Sequence, residues 1–159
     1  PLVRENILTT AGAIAIYHDR FAPTHPSNGS RVRKKYVIRS AKEEAIACFP
    51  SLREVALPTW DKGHHEYENV RKFNVLLALM SVTDDTCILH RSDLDVLCEV
   101  KQRAGEIMSR GGLGYYDNWR LYDALDQFIT SNWISPGGSA DLLAATLFLH
   151  KIMDHFKTK

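Results

Sequence analysis

Side chains able to bind phosphate or a metal ion occur in three short segments of the chain. The first holds the acidic pair 84–85 with Arg91 a few residues later, the second is the basic run 31–39, and the third is the turn 135–141. The patterns on either side of each segment predict that it lies at the end of a helix. Sites in all-helical domains form from polar groups gathered between packed helices, so these segments are the candidates for a binding site.

The turn 135–141, Ser-Pro-Gly-Gly-Ser-Ala-Asp, leads directly into a strongly apolar helix. Gly137 and Gly138 can adopt backbone angles that other residues avoid, and Ser139 is suited to cap the helix. The N–H groups at the start of a helix are exposed donors, so these three residues are the predicted phosphate-binding residues. An ordinary loop before a core helix fits the same residues.

Asp141 follows this turn within a helix that is apolar nearly all round, and a helix of that kind is buried. A buried carboxylate needs hydrogen-bond donors, a cation or a metal, so Asp141 is a candidate catalytic residue. We therefore expect Asp141→Ala to cost more stability or ligand response than Asp84→Ala.

Asp85 is the second candidate catalytic residue and the candidate metal ligand. Mg²⁺ binds through one or two carboxylates together with substrate phosphates, which suits Asp84 and Asp85. Arg91 can grip a phosphate bidentately. The alternative is that the aspartates only mark a helix end and that Arg91 pairs with one of them. Cys87 is a weaker candidate nucleophile, because burial in an apolar run raises a thiol pKa.

Five of the nine residues in the run 31–39 are basic. Charge of this density favours an anionic partner, and Arg31 is the candidate phosphate ligand. A solvated linker fits the composition equally well. A nucleic-acid-binding role is disfavoured, because the whole chain carries a net charge of only +1.

Apolar residues recur with the helical period along most of the 159 residues, and strand-like patterns are confined to 36–38 and 87–89. The chain therefore predicts an all-α fold, a single-domain bundle of about six helices joined by short loops. The helices are expected at 2–21, 40–49, 70–82, 92–108, 118–133 and 140–156. Ser40, Ser92 and Asp117 or Asn118 are the expected caps of three of them.

Composition bears on compartment and partners. Three cysteines with no C-x-x-C pair are expected to be reduced thiols in a cytoplasmic protein. No apolar run has the length of a membrane span and no signal pattern is present, so a membrane partner is not expected. The adjacent His64 and His65 make a poor metal pair.

The turn 135–141, with Leu142-Leu143-Ala144 and Phe148-Leu149 after it, resembles the C-terminal signature of the triphosphoribosyl-dephospho-CoA synthase family. Two upstream segments are similar to the family in the same order. They are 49–58, which ends in Ala-Leu-Pro, and 76–91, in which Leu-Leu-Ala-Leu-Met precedes Asp-Thr-Cys and Leu-His-Arg. The resemblance covers nearly all of 1–159 as one helical domain and corresponds to the C-terminal half of the family's enzyme.

The resemblance implies a transferase that joins the triphosphoribosyl unit of ATP to 3′-dephospho-CoA and releases adenine. The product is the precursor of the prosthetic group on the acyl carrier protein of citrate lyase or malonate decarboxylase. ATP as substrate, Mg²⁺ and dephospho-CoA are the implied ligands. A second chain that supplies the N-terminal half, or a homo-oligomer, is the implied protein partner.

The chain departs from the family in ways that bear on catalysis. The family's Pro-Gly-Leu-Val-Asp and Asn-Thr-His-Lys-Gly segments are absent here, and its Arg-Gly-Gly is replaced by Arg91-Ser92-Asp93. That replacement puts an acidic helix start where a flexible turn would favour an anion. We therefore expect a chain that is incomplete as a catalyst: a fragment, one chain of a split enzyme or a relative with a changed role. The alternative function is a non-catalytic helical binding or assembly module.

Overall fold

The part of the chain that the computed structural model describes is mostly α-helical. It comprises residues 2–21, 32, 35–36, 38–39, 41–63 and 66–157. The α-helices within it are α1 (Leu2–Phe21), α2 (Ala41–Ile46), α3 (Leu57–Lys62), α4 (Glu68–Val82), α5 (Thr86–Arg91), α6 (Leu94–Ser109), α7 (Trp119–Ser131) and α8 (Gly137–Lys157). A π-helical turn (Leu52–Ala56) leads into α3, and two 3₁₀ turns (Gly112–Gly114 and Tyr116–Asn118) connect α6 to α7.

The predicted all-α fold is confirmed, and the described residues contain no strand. The strand-like segment 87–89 is in fact the middle of α5, a helix that the sequence did not predict. Helix α3 was not predicted either, so the described residues contain eight α-helices where about six were expected. Asp93, not Ser92, caps α6, since its side chain accepts a hydrogen bond of 2.9 Å from the Val96 N–H. Asn118 precedes α7 but its side chain does not cap that helix. Ser40, His64 and His65 lie outside the described residues.

Helix α4 is the centre of the fold, because it is apolar on two sides. Leu77 and Met80 face the large cluster that α6 and α7 complete, whereas Val75 and Leu79 face a second cluster that includes Trp60. Burying a leucine or methionine side chain of this size contributes about 1.5–3 kcal/mol. The 83–85 connection therefore follows directly from a helix that is buried on two sides.

Helix α1 packs against α2 at a point where both backbones come close. A Cβ on Gly12 would lie 2.8 Å from the Cys48 sulfur and 3.0 Å from the Ala45 carbonyl oxygen. Cys48 and Phe49 themselves have left-handed backbones, with φ of 59° and 57°. Non-glycine residues adopt this region rarely and with strain, so the approach of α1 helps to fix the chain between α2 and the π-helical turn.

None of the described helices combines the length and the apolar character that crossing a membrane requires.

A pair of glycine substitutions tests the contact between α1 and α2. Gly12→Ala forces its Cβ onto Cys48 and should lower the free energy of unfolding by about 1–3 kcal/mol. In Gly105→Ala the new Cβ meets nothing nearer than the Ser81 Cβ at 3.7 Å, so it should raise that free energy by about 0.5–1 kcal/mol. Urea unfolding followed by circular dichroism measures both. Equal stabilisation by the two substitutions would contradict the packing of α1.

Candidate functional site

The carboxylate of Asp85 joins the N-termini of two helices. Its Oδ1 accepts the Cys87 N–H at 2.9 Å, which caps α5. Its Oδ2 accepts the Ser139 N–H at 2.9 Å and the Ser139 hydroxyl at 3.1 Å, which satisfies the first turn of α8. Asp85 is only 2% exposed and Ser139 is fully buried. A single buried carboxylate thus serves as the anion for two helix starts.

The glycines of the turn allow these two helix ends to meet. A Cβ on Gly138 would lie 3.3 Å from the Asp85 carboxylate, and a Cβ on Gly137 would lie 2.8 Å from the Cys87 sulfur. Neither glycine has a positive φ. Their role is therefore close approach between helices, whereas the sequence suggested unusual backbone angles.

Two expectations about this turn are wrong. Ser139 is not the N-cap of α8, because the helix already begins at Gly137 and the Ser139 side chain points inward to Asp85. Asp141 is exposed, not buried, because it lies on the side of α8 that faces solvent, together with Ala144 and Phe148. The carboxylate that needs satisfaction inside the protein is Asp85.

A cavity of about 400 Å³ lies beside this junction. Its lining includes four acidic residues, one arginine and three residues with hydroxyl groups, together with four apolar residues. The lining residues are Arg39, Glu44, Phe49, Ser51, Val82, Thr83, Asp84, Asp85, Thr86, Gly138, Asp141, Leu142 and Ala145. The cavity therefore combines excess negative charge with an apolar wall, which suits a ligand that arrives with a cation.

The four carboxylates differ in how far the protein already uses them. Asp84 pairs with the Lys101 ammonium at 2.8 Å and accepts the Arg39 N–H at 3.3 Å. Glu44 is buried and accepts the Ser51 N–H at 2.6 Å. Among the described residues, Asp141 alone of the four has no hydrogen bond or ion pair. Its carboxylate is the one most available to a ligand.

The oxygen atoms in the cavity fit Mg²⁺ bound together with phosphates. Mg²⁺ prefers carboxylate and phosphate oxygens and is usually held by one or two carboxylates plus substrate. In the part of the chain that the structure describes, no three His, Cys, Asp or Glu side chains are grouped so as to hold a metal ion. A ligand that brings its own oxygens therefore has to complete the coordination.

The predicted basic ligands are only partly brought to the cavity. Arg91 is exposed at the end of α5 and does not line it. Asp84 pairs with Lys101 and not with Arg91, contrary to the alternative considered from the sequence. Arg31 lies outside the described residues. Among the described residues of the same basic run, Arg39 lines the cavity.

Sequence reasoning missed two features of the wall. Phe49 lies in the left-handed region although it precedes a proline, where an extended backbone is expected, and its ring lines the cavity. The Thr83 hydroxyl is buried without a hydrogen-bond partner among the described residues. Strained backbone and unsatisfied buried groups are concentrated at ligand sites. No local sequence pattern predicts the backbone conformation of Phe49 or the unpaired hydroxyl of Thr83.

Cys87 lies beside the junction as a protonated thiol. Burial raises its pKa above the ordinary value for a cysteine, and the negative charge of Asp85 adds to the rise. The backbone of Gly138 and the guanidinium of Arg91 act in the opposite direction, while Asp141 adds a further increase. The thiolate is the reactive form, so this environment disfavours Cys87 as a nucleophile, as the sequence predicted.

Comparison with known proteins identifies one family along almost the whole chain. The family described as CitG, ATP:dephospho-CoA triphosphoribosyl transferase, matches residues 3–159. A probable 2-(5''-triphosphoribosyl)-3'-dephosphocoenzyme-A synthase of Pseudomonas syringae pv. syringae is 38% identical over 147 residues, which are 91% of this chain and 50% of the relative. The protein of the same name from Pseudomonas aeruginosa is 39% identical over 149 residues, 92% of this chain and 50% of the relative.

A third relative of that name, from Azotobacter vinelandii, is 36% identical over 154 residues, 95% of this chain and 53% of the relative. The chain thus spans about half the length of the curated relatives it matches. No solved structure is significantly similar to it.

Replacing Asp85 tests its role at the two helix starts. Asp85→Ala leaves two N–H groups and one hydroxyl without an acceptor, so it should lower the free energy of unfolding by about 3 kcal/mol. Asp141→Ala removes an exposed carboxylate and should change it by no more than about 0.5 kcal/mol. Chemical denaturation of the two variants gives the comparison. Similar losses in both would show that Asp85 does not hold the helix ends together.

Alkylation rates test the environment of Cys87. Iodoacetamide should modify the exposed Cys98 faster than Cys87 at pH 8, and the Cys87 rate should continue to rise at higher pH as the thiolate forms. Asp141→Asn removes a nearby negative charge, lowers the pKa of Cys87 and moves its rate profile to lower pH. Mass spectrometry of each peptide measures the rates. A Cys87 as reactive as Cys98 at neutral pH would refute the raised pKa.

Proposed function

The chain belongs to the ATP:dephospho-CoA triphosphoribosyl transferase family, and we propose on that basis that it forms one wall of the site where ATP reacts with 3′-dephospho-CoA. The observation that carries this proposal is the cavity beside the Asp85 junction, in which available carboxylate oxygens, a guanidinium and an apolar wall meet. The product would be the prosthetic-group precursor for the carrier protein of citrate lyase or malonate decarboxylase.

The proposed reaction is a substitution at C1 of the ATP ribose. A ribose hydroxyl of dephospho-CoA attacks this carbon, the bond to adenine breaks, and the triphosphate stays on the transferred sugar. The hydroxyl gives up a proton and the departing adenine takes one, so protons balance. The site must therefore bind a triphosphate, hold the attacking hydroxyl in line with C1 and manage two proton transfers.

Triphosphate binding is the first requirement, and the cavity meets it only with a cation. Asp141, with Asp85 beside it, would hold Mg²⁺, since Oδ1 of Asp85 accepts one protein hydrogen bond and retains a free lone pair. The metal ion would neutralise triphosphate charge that the carboxylates would otherwise repel. Arg39, which lines the cavity, would contact phosphate oxygens.

Sugar and base would lie against the apolar side of the cavity. Phe49 offers a ring there, and Leu142 and Ala145 form the adjoining surface on α8. Aromatic rings stack on nucleobases with little dependence on sequence or orientation. The left-handed backbone at Phe49 would fix this ring in place and exclude water from C1.

The carboxylate oxygen of Asp141 that would not bind the metal ion is the proposed proton acceptor, because no described residue hydrogen-bonds to it. Asp85 would act as a positioning residue, since its carboxylate already accepts three hydrogen bonds. Its Ser139 partner holds the start of α8, and with it Gly138 and Asp141, at the cavity. The remaining half of the family's protein would supply the other wall.

Free cysteines at 48, 87 and 98 favour a reducing compartment, so we also propose a cytoplasmic location for this activity.

Thermal shift with ligands tests the proposal. Mg²⁺–ATP at a large excess over its dissociation constant should stabilise the chain, by about 2.7 kcal/mol at a hundredfold excess, and chelation of the metal should remove most of the effect. Asp141→Asn should reduce the stabilisation, whereas Asp126→Asn, an exposed aspartate on α7, should leave it unchanged. Dephospho-CoA should give a separate shift.

The same titrations are repeated with the missing half of the Pseudomonas syringae relative present. No stabilisation by millimolar Mg²⁺–ATP or dephospho-CoA in either condition would refute the transferase site and favour a non-catalytic assembly module. An Asp141→Asn response equal to that of the unmodified chain would remove Asp141 from the site.

A further inference from the structure

Helix α1 carries a second apolar surface that the described residues leave uncovered. Its inner side packs on the body of the protein through Leu8, which is buried, and Gly12. Its other side lines a shallow groove of about 470 Å³, which we call the outer stripe. The residues of the outer stripe are Val3, Asn6, Ile7, Thr10, Ala11 and Ile14.

The spacing of the outer stripe is that of one continuous helix face. Its members recur at intervals of three and four residues, and α1 has 20 residues, which corresponds to about 30 Å of helix. Val3 is 37% exposed and Ile14 is 53% exposed. Ile7, on the edge of the stripe nearest the body of the protein, packs against the buried cluster that contains Leu8. An apolar helix surface this wide is normally covered across its whole width. The inner side of α1 packs against the body of the protein, whereas the described residues leave most of the outer stripe without a packing partner.

The absence of charge distinguishes the outer stripe from other grooves on the described surface. The groove on α8 contains Lys151, Asp154 and His155. The groove at the start of α7 contains Arg110, Asp117, Arg120 and Asp123. The outer stripe has no ionisable side chain. Depletion of charge is what separates the core of a protein interface from ordinary surface.

We infer that the outer stripe of α1 is the surface on which the half of the family's protein absent from this chain docks. The 147 matched residues are 50% of the Pseudomonas syringae relative, so about as many again lie outside the match. A polypeptide of that size is a domain, and domains of one protein bury apolar surface against each other. The inference rests on family membership and not on the transferase activity.

Docking here would also place the second half beside the cavity. α1 packs against α2, and α2 carries Glu44, one of the carboxylates of the cavity wall. A domain seated on α1 is therefore one helix away from the site that it is proposed to complete.

The experiment co-expresses a tagged copy of the unmatched half of the Pseudomonas syringae relative with this chain. Recovery of the chain on the tag and the native mass of the complex are measured by affinity purification and light scattering. The test variants are Val3→Asp and Ile14→Asp. The controls are Phe148→Asp and Trp133→Asp, which place the same charge at exposed apolar positions elsewhere, 61% and 86% exposed.

The unmodified chain and both controls should be recovered as a complex of one copy of each half. The test variants should lose about tenfold or more of the bound chain, because a charge in the centre of an apolar interface costs at least about 1.4 kcal/mol. Failure of the unmodified chain to co-purify, or equal recovery of test and control variants, would overturn the inference.

Measurements on the chain alone separate the other possible occupants. If a second copy covered the outer stripe, the unmodified chain would be a dimer that Ile14→Asp converts to monomer. If the chain's own 22–40 segment covered it, Ile14→Asp would lower the melting temperature well beyond Phe148→Asp. Either result overturns the inference. Neither measurement involves ATP or turnover, so a failed docking surface and a failed transferase site give different results.

Discussion

The structure depends on one carboxylate that serves two helices. Asp85 accepts the first free N–H of α5 and, 54 residues further along the chain, the N–H and hydroxyl of Ser139 in α8. Helix α5 has only six residues, too few to be stable in isolation, so its cap and its packing have to maintain it. Because Gly137 and Gly138 lack side chains, α8 can come close enough to share that cap.

The same interaction determines the character of the cavity. The buried Asp85 carboxylate is compensated by backbone and hydroxyl donors, whereas the exposed Asp141 has no hydrogen bond or ion pair among the described residues. Such a surface repels a bare triphosphate and attracts a cation. This charge would favour a triphosphate that binds together with a divalent cation, with Asp141 as the proposed residue for the cation and Arg39 as the proposed phosphate contact.

Local patterns predicted the all-α fold, the six principal helices and the importance of the turn 135–141, because helical periodicity and turn residues act over short distances. The same local patterns predicted that Asp141 is buried and that Asp85 lies at a helix end, whereas in the structure Asp85 is the buried carboxylate and Asp141 is exposed. Asp141 follows a buried turn in an apolar helix, but it belongs to a stripe of α8, with Ala144 and Phe148, that faces solvent. In the sequence Asp85 follows the end of a helix. Its burial depends on the contact with Ser139, which is 54 residues away and which no local pattern reveals.

The left-handed backbone at Phe49 could not be predicted either, because it also depends on contacts with residues that are distant in the sequence. A residue before proline is expected to be extended, and only the packing of α1 and the π-helical turn around it imposes another conformation. The resemblance to the family suggested the substrates, and the structure adds the cavity that we propose as the place where they meet.

A crystal structure of the chain with ATP and Mn²⁺ in place of Mg²⁺ tests this most directly, because the anomalous signal locates the metal. The account predicts one metal peak in the cavity, bonded to an Asp141 oxygen and to the triphosphate, with Asp85 still bridging α5 and α8. A triphosphate and metal bound outside this cavity would contradict it.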